Sequence, residues 1–317
     1  MRNISLTQML YALTLQETKN FSLAAKKCHV TQPTLSMQLQ KLEDELGIIL
    51  FDRTKQPIIP TDPGEKLLAQ FRTVVQETQQ IDDILTEVQG EVSGEFRLAI
   101  LPSIAPYLVP LFAARFVRSY PKVTLILDEC MTQTMVERLK KDEYDAGILV
   151  TPLEEESIYE TPLYYEPFWG YVSQGHPLFI QKEISGADLG AADLWILEEG
   201  HCFRDQVLSL CKRRKGQWMT KSPLNFQSGS LESLKGLVDS GIGYTLLPDL
   251  AARQIVLHGN KKRLRAFTKP TPVREVSCVQ VRKGYKKKIL DALVQTVKEG
   301  VPRELLKRDQ TKLVPLK

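Results

Sequence analysis

Histidine and cysteine are scarce in this sequence, and the few that occur are scattered. Its 317 residues include four histidines and five cysteines, and no two cysteines form a Cys-x-x-Cys pair. Histidines without ligand spacing predict no metal site, and neither a P-loop nor a Gly-x-Ser-x-Gly segment is present. An odd number of isolated cysteines also argues against a secreted, disulfide-bonded protein. The sequence therefore favours a protein that is not an enzyme and binds no cofactor.

A long apolar segment is also missing. No stretch approaches the roughly 20 apolar residues that cross a bilayer, and the N-terminal residues mix Gln, Glu and Thr with apolar positions, unlike a signal peptide. We expect a cytoplasmic protein without a membrane partner. With 43% hydrophobic and 25% charged residues the chain suits two or three domains, and its net charge of +4 neither requires nor excludes a nucleic acid.

The N-terminal segment predicts three helices. Apolar residues recur at helical spacing from Ser5 onward, a second short helix, SLAAKKC, takes its N-cap from Phe21-Ser22, and a third begins at Thr31 and ends at Gly47. A third helix that opens with Thr-Gln-Pro-Thr-Leu-Ser is typical of a helix-turn-helix, where it enters the major groove of DNA. A three-helix structural bundle is the alternative. The side chains predicted to reach bases or phosphates are Gln32, Thr34, Ser36 and Gln38.

Two features after Gly47 favour DNA binding. The segment ILFDRTKQPIIPTDPG predicts two short strands around a turn, a wing that carries Arg53 and Lys55 toward the DNA. From Gly64, one long helix has a heptad seam. Packing against the chain's own core is the alternative, but the polar flanks favour a dimerising helix and a two-fold symmetric DNA site. The residues of the seam are Leu67, Phe71, Val74, Thr78, Ile81, Leu85 and Val88.

After Gly94, strands and helices alternate, and the first three strands, FRLAIL, VTLILDEC and AGILV, predict a parallel α/β arrangement. With the strands and helices that follow, the layout predicts two α/β lobes with a ligand cleft between them. Within it, Cys202 is predicted at the start of a helix and Cys211 at its end. The helix N-terminus, with His201 and Arg204 as nearby donors, is expected to lower the pKa of the Cys202 thiol. About 13.5 Å of helix axis would separate the two Cα atoms, too far for a disulfide unless the helix unwinds, so this conflict could act as a switch. Two ordinary core thiols are the alternative.

Several polar residues complete the predicted cleft. Ser103 and Thr132 each follow a strand and could hydrogen-bond a small ligand near Cys202, although each is also a plausible cap or turn residue. Asp205 orients Arg204 or the helix start, or is simply a solvated carboxylate. Cys130 could line the cleft beside Thr132. We interpret Cys28 and Cys278 as core residues. The basic segment 283–317 is interpreted as a solvated helix followed by a tail.

The run AAKKCHVTQPTLSMQLQKLEDELGIILFDRTKQPIIPTDPGEKLL resembles the signature region of LysR-type transcriptional regulators. The resemblance implies that Gln32, Pro33, Thr34 and Ser36 contact DNA, with Arg53 on the wing. Met37 occupies a position where the family often has glycine or a basic residue. The resemblance to the family extends over nearly the whole chain and implies an effector domain similar to the periplasmic binding-protein fold. It also implies promoter DNA and RNA polymerase as partners and a tetramer as the assembly.

The segment GHCFRDQVLSLC further resembles that of the hydrogen-peroxide-sensing members of the family. This implies that peroxide is the effector, that Cys202 is the peroxidatic cysteine and that Cys211 resolves it. Two other hypotheses stay open. One is a LysR-type regulator that binds a small organic anion near Ser103, Thr132 and Arg204, and the other is a thiol peroxidase.

The expected architecture is an α+β multidomain chain. Residues 1–62 form a winged helix-turn-helix, residues 63–93 form the dimerisation helix, and residues 94–317 form a two-lobed α/β effector domain. Within the effector domain, lobe I comprises residues 94–164 and 270–300, and lobe II comprises residues 165–269.

Overall fold

The computed structural model describes residues 3–89, 91–190, 193–211, 224, 226, 228–308 and 311–314. The chain divides into two compact units, residues 1–91 and residues 92–317, and each has its own hydrophobic core. Of the helices within the described residues, none has both the length and the apolar character required to cross a bilayer.

The first unit contains four helices and a two-stranded wing. Buried leucine, alanine and phenylalanine side chains from all four helices form its core. The third helix begins and ends where its caps predict, because Thr31 accepts a hydrogen bond from the Thr34 N–H and Gly47 adopts a φ of 68°. The elements are α1 Leu6–Thr18, α2 Phe21–Lys27, α3 Gln32–Leu46, β1 Phe51–Asp52, β2 Ile59–Pro60 and α4 Asp62–Gln89.

The N-cap of α2 differs from the prediction. Asn20, not Phe21-Ser22, caps this helix, since its Oδ1 atom accepts hydrogen bonds from the N–H groups of Ser22 and Leu23 at 2.9 and 3.0 Å. Asparagine holds its acceptor oxygen rigidly at the distance that the second and third helical N–H groups require, which makes it one of the best N-cap residues.

The long helix α4 has two different faces. Leu68, Phe71 and Val75 are buried in the core of the first unit, whereas Val74 is 37% and Ile81 is 55% exposed. Phe71, a member of the predicted seam, therefore packs inside its own unit. The side chains of Leu85 and Val88, also predicted for the seam, lie outside the described residues. The exposed members of the seam begin at Val74.

The second unit is built on a mixed sheet, and its first three strands are parallel, as predicted. Strands β3, β4 and β5 run parallel to one another, whereas the two longest strands, β6 and β11, are antiparallel to each other. Short parallel pairs also form between β7 and β10, β8 and β9, and β11 and β12. The strand order along the main path is β4-β3-β5-β11-β6-β10-β7. The strands are β3 Gly94–Ile100, β4 Val123–Glu129, β5 Ala146–Thr151, β6 Tyr159–Val172, β7 Glu183–Ile184, β8 Leu194–Trp195, β9 Tyr244–Pro248, β10 Leu264–Phe267, β11 Thr271–Gln280 and β12 Thr311–Leu313.

Strand β6 connects the two halves of this sheet. Its first part, up to Pro167, pairs with β11, and its last part, from Phe168 onward, pairs with β9. Helices pack around both halves, so residues distant in sequence meet along β6 and β11. The helices are α5 Ala105–Ser119, α6 Thr132–Lys140, α7 Cys202–Leu210, α8 Leu231–Asp239, α9 Asp249–Leu257 and α10 Lys287–Gly300.

Candidate functional site

Helix α7 begins at Cys202, as the sequence predicts. Gly200 has a φ of 93°, a conformation that favours glycine, and it turns the chain into the extended N-cap residue His201. Phe203, Gln206 and Val207 form the buried face of the helix. The Asp205 side chain is exposed in the first turn, where the helix dipole stabilises a negative charge. Cys202 is thereby held at the positive end of a nine-residue helix.

The surroundings of Cys202 have opposite effects on the pKa of its thiol. Burial raises the pKa of the Cys202 thiol, whereas the Arg274 guanidinium, the Thr132 hydroxyl and the backbone N–H of Phe203 each lower it, and Asp205 raises it slightly. Burial prevails, so the net pKa is above its ordinary value and the expected decrease is wrong for this conformation. The groups that favour a thiolate are nevertheless assembled around the sulfur.

Arg274 is the cation beside Cys202, and it was missed in the sequence. Its Nη2 atom lies 2.7 Å from Glu166 Oε2, both side chains are 1% exposed, and its Nη1 donates to Ser103 Oγ at 3.1 Å. The guanidinium also lies over the Phe203 ring, 5.1 Å from its centroid. An available signal was an arginine within TPVREVSCVQ, since a strand with apolar residues on both faces buries every side chain and requires a partner for a charge.

The predicted hydroxyls occupy different positions relative to Cys202. Ser103 is buried, and both its hydroxyl and its carbonyl oxygen accept hydrogen bonds from Arg274. Thr132 is close enough to lower the pKa of Cys202, yet its Oγ1 atom is buried and makes no well-formed hydrogen bond within the described residues. A buried hydroxyl without a full partner is available to bind a small polar molecule at the sulfur.

The predicted donors next to Cys202 point elsewhere. Arg204 Nη1 donates to the Leu197 carbonyl oxygen at 2.8 Å. His201 is buried, its Nε2 atom is 3.9 Å from Glu198 Oε1, and burial lowers its pKa, so the imidazole is neutral. That Nε2 atom has no hydrogen-bond partner within the described part of the chain. Arg274 therefore supplies the charge that the sequence assigned to His201 and Arg204.

Cys211 lies at the opposite end of α7, as its C-cap. It is buried, its Sγ donates to the Val207 carbonyl oxygen at 3.3 Å, and burial raises the pKa of its thiol to about 11. Because α7 is continuous from Cys202 to Leu210, the two cysteines are about 13.5 Å apart along the axis. A disulfide between them requires α7 to unwind.

The remaining cysteines have other surroundings. Cys278 is buried in β11, and burial raises the pKa of its thiol to about 12. Cys130 contacts Tyr144 and Arg138; burial raises the pKa of this thiol, and both neighbours lower it. Cys28, in the first unit, is partly buried against the core there. Within the described residues, no group of three or more His, Cys, Asp or Glu residues could hold a metal ion.

The predicted DNA-contacting residues lie on α3 and the wing. Gln32, Pro33 and Met37 are exposed, Met37 by 61%, whereas Thr34, Ser36 and Gln38 are partly buried. Thr34 shares a hydrogen bond with Thr31, and Gln38 accepts one from Gln8. The other exposed side chains of this helix are Gln40, Lys41, Asp44 and Glu45.

Arg53 on the wing has a structural partner. It pairs with Glu43 at 2.6 Å and lies over the Phe21 ring, and Glu43 also accepts the N–H groups of Leu50 and Phe51. The Arg53 side chain is 38% exposed. The ion pair of Arg53 with Glu43 therefore links the wing to α3, while part of the Arg53 side chain stays exposed to solvent.

Comparison with known families and structures covers nearly the whole chain. Residues 6–65 match the bacterial regulatory helix-turn-helix proteins of the lysR family, and residues 89–302 match the LysR substrate binding domain. The "Hydrogen peroxide-inducible genes activator" of Dickeya chrysanthemi is 35% identical over 269 residues, which cover 85% of this chain and 87% of that protein. The "DNA-binding transcriptional dual regulator OxyR" of Escherichia coli K12 is 36% identical over 241 residues, covering 76% and 78%.

Solved structures give the same relationship. A full-length OxyR variant from Pseudomonas aeruginosa has a TM-score of 0.77 and 31% identity, with 93% of this chain and 98% of that chain covered. An OxyR mutant from Corynebacterium glutamicum, described as H2O2-bound, has a TM-score of 0.59 and 26% identity, with 93% and 92% covered. The match extends over both units of the chain.

Proposed function

Because the chain belongs to the LysR family of DNA-binding transcriptional regulators, and not to a family of enzymes, we propose that it senses hydrogen peroxide through Cys202 and Cys211. The observation that carries the proposal is the position of Cys202 at the start of α7, between Arg274 and the Thr132 hydroxyl, with Cys211 at the other end of the same helix. Relatives named as peroxide-inducible activators or OxyR support the choice of effector.

The first chemical step takes place at Cys202. The thiolate attacks one oxygen of hydrogen peroxide, an S–O bond forms and the O–O bond breaks, so Cys202 becomes a sulfenic acid. Hydroxide leaves and takes up the proton released by the thiol, giving water. Arg274 stabilises the thiolate, and the Thr132 hydroxyl is placed to hydrogen-bond the peroxide. Ser103 contributes by holding Arg274.

The second step couples this chemistry to conformation. The Cys211 sulfur attacks the Cys202 sulfur, the S–S bond forms, the S–OH bond breaks and water leaves. Two thiols are thus oxidised and one peroxide is reduced to two waters. Since the intact helix separates the two sulfurs, the disulfide traps α7 in an unwound form. The remodelled effector unit then changes how the regulator binds promoter DNA.

DNA binding is assigned to the first unit. Gln32, Pro33, Thr34, Ser36, Met37 and Gln38 are the proposed contacts from α3, with Arg53 on the wing. Met37 is an exposed apolar residue of this set. It suits an apolar contact with a thymine methyl group better than a phosphate contact. RNA polymerase is the proposed partner at the promoter.

Self-association is proposed through α4 and α5. The exposed apolar residues Val74 and Ile81 of α4 support a dimer that reads a two-fold symmetric site. On α5, a second apolar stripe is fully or partly exposed at helical spacing, and it supports a further contact that joins dimers into a tetramer. The residues of this stripe are Val109, Pro110, Ala113, Ala114 and Val117.

The organic-anion hypothesis receives less support. An anionic effector needs a cation whose donors are not already engaged within the protein. Arg274 is paired with Glu166, and Arg204 donates to the Leu197 carbonyl. A thiol peroxidase is disfavoured because the winged helix of α1–α3 has no use in such an enzyme.

Thiol mapping tests the proposal. Reduced full-length protein is treated with a few equivalents of hydrogen peroxide, and its thiols are mapped by mass spectrometry in the wild type and in Cys202→Ser, Cys211→Ser and Cys130→Ser. We expect a fast Cys202–Cys211 disulfide that is lost in the first two variants and retained in Cys130→Ser, the matched control. A Cys202 that stays reduced while other thiols react slowly would refute the proposed sensing function.

A further inference from the structure

The ion pair beside Cys202 is completely enclosed. Arg274 Nε and Nη2 lie 2.8 and 2.7 Å from Glu166 Oε2, and Glu166 Oε1 accepts the Leu250 N–H at 2.9 Å. Burial raises the pKa of the Glu166 carboxyl and sets the net direction, while Arg274 and the Leu250 N–H lower it. With donors directed at both oxygens, the carboxyl is bound as an anion.

The charge of this pair controls how readily Cys202 ionises. The charges of Arg274 and Glu166 sum to zero, so a Cys202 thiolate adds a buried negative charge without a counter-ion of its own. If Glu166 were neutral, the same thiolate would instead balance the charge of Arg274. A buried charge is costly unless it is paired. Glu166 and the Cys202 thiolate therefore compete for one guanidinium.

We propose that Glu166 is a positioning residue that sets the peroxide sensitivity of Cys202: it holds Arg274 beside the sulfur and neutralises most of its charge. The inference rests on the proposed peroxide chemistry at Cys202. A sensor thiol next to a free guanidinium would be ionised and would react with traces of peroxide. The Glu166 carboxylate keeps the thiol protonated in the reduced protein and so raises the peroxide concentration at which the regulator responds.

The groups around α7 do not have the same effect. Asp205, on α7 itself, opposes ionisation of Cys202 but is exposed, so solvent screens its charge. The Thr132 hydroxyl and the Phe203 N–H favour the thiolate. Burial lowers the pKa of His201, which leaves that ring uncharged. None of these groups neutralises Arg274.

The titratable groups near the ion pair also leave Glu166 as the main counter-charge. Burial raises the pKa of both Tyr164 and Tyr107, so these phenols stay neutral at physiological pH. Asp249, at the start of α9, forms its own ion pair with Arg253 and accepts a hydrogen bond from Trp169 Nε1 at 2.8 Å. Glu166 is therefore the anion that contacts Arg274 directly.

The test compares Cys202 in the wild type, Glu166→Gln and Glu166→Asp. Reduced full-length protein is alkylated with iodoacetamide across a range of pH, and the rate at Cys202 is read by mass spectrometry. We expect Glu166→Gln to move the Cys202 profile to lower pH by about one unit, which is about a tenfold larger thiolate fraction at neutral pH. Glu166→Asp keeps the charge but, with one methylene fewer, withdraws it from Arg274, so its shift is also to lower pH and is less than half as large. Cys28, in the other unit, is the internal control and keeps its profile.

A purely structural role gives a different result. If Glu166 only supports β6, Glu166→Gln unfolds at lower temperature, and the Cys202 profile stays in place or moves to higher pH, which overturns the proposal. Should Glu166→Gln fail to fold, Glu166→Asp decides the matter: a small shift to lower pH supports the proposal and no shift contradicts it. Because alkylation involves no peroxide, a Cys202 that never forms a sulfenic acid would refute the sensing function separately.

Discussion

The two ends of α7 hold the same residue type in opposite surroundings. Cys202, at the N-terminal end, lies near three groups that favour its thiolate, namely Arg274, Thr132 and the Phe203 N–H. Cys211, at the C-terminal end, is buried, and within the described residues burial is what raises the pKa of its thiol. The first thiol is thus equipped to react where it stands. The second becomes reactive only when the helix that buries it opens.

Removing the charge at the N-terminal end should break this contrast most strongly. We expect Arg274→Gln to slow sulfenic acid formation at Cys202 at least tenfold, because the thiolate loses its counter-ion and faces an unpaired Glu166. The variant should also lose about 3–5 kcal/mol of unfolding free energy, since a buried charge is left alone. Trapping of the sulfenic acid with dimedone measures the rate, and chemical denaturation measures the stability.

Arg274→Lys is the matched control for that variant. It keeps a positive charge but not the bidentate contact with Glu166, so its loss should be smaller than that of Arg274→Gln. Equal slowing in both variants would show that the shape of the guanidinium, and not its charge, supports Cys202. Alkylation of Cys211 should change in neither variant, because burial, and not Arg274, raises the pKa of that thiol.

The pH dependence of Cys202 should sharpen the contrast. Since burial raises the pKa of this thiol, the thiolate is the minor form at neutral pH, and its fraction grows as pH rises. The rate with peroxide should therefore increase about tenfold per pH unit up to the raised pKa. Stopped-flow kinetics of the Cys211→Ser variant isolate this step. A rate that is flat between about pH 6 and 8 would mean that Cys202 is already a thiolate.

A hydrogen bond on the buried face of α7 should control how readily Cys211 reacts with the oxidised Cys202. Gln206 is fully buried, and its Nε2 donates to the Val314 carbonyl oxygen at 3.0 Å, which ties α7 to the chain just after β12. Gln206→Leu removes about 1 kcal/mol of this support. Because opening of α7 becomes easier, we expect disulfide formation to be about fivefold faster once Cys202 is oxidised. Sulfenic acid formation, measured separately in the Cys211→Ser background, should be unchanged.

The sequence predicted what depends on local signals. The capped ends of α3 and the start of α7 at Cys202 follow from side chains within a few residues of each boundary. The Arg274–Glu166 pair could not be found in the same way, because 108 positions separate its members and only the pairing of β6 with β11 brings them together. For the same reason the pKa of Cys202 was predicted in the wrong direction. Its helix position was local information, while its burial was not.

The smallest predicted effect uses helix propensity alone. Ser209 is exposed near the C-terminal end of α7, and its hydroxyl donates to the Gln206 carbonyl oxygen. Ser209→Gly and Ser209→Ala both remove this bond, so the pair differs mainly in helix stability, by about 0.5 kcal/mol near a helix end. If unwinding of α7 limits disulfide formation, Ser209→Gly should form the disulfide about twofold faster than Ser209→Ala. Quenched-flow mapping of the Cys202–Cys211 bond measures both rates. Equal rates would show that the disulfide forms without unwinding this last turn, so that Cys211 reaches Cys202 by another movement of the chain.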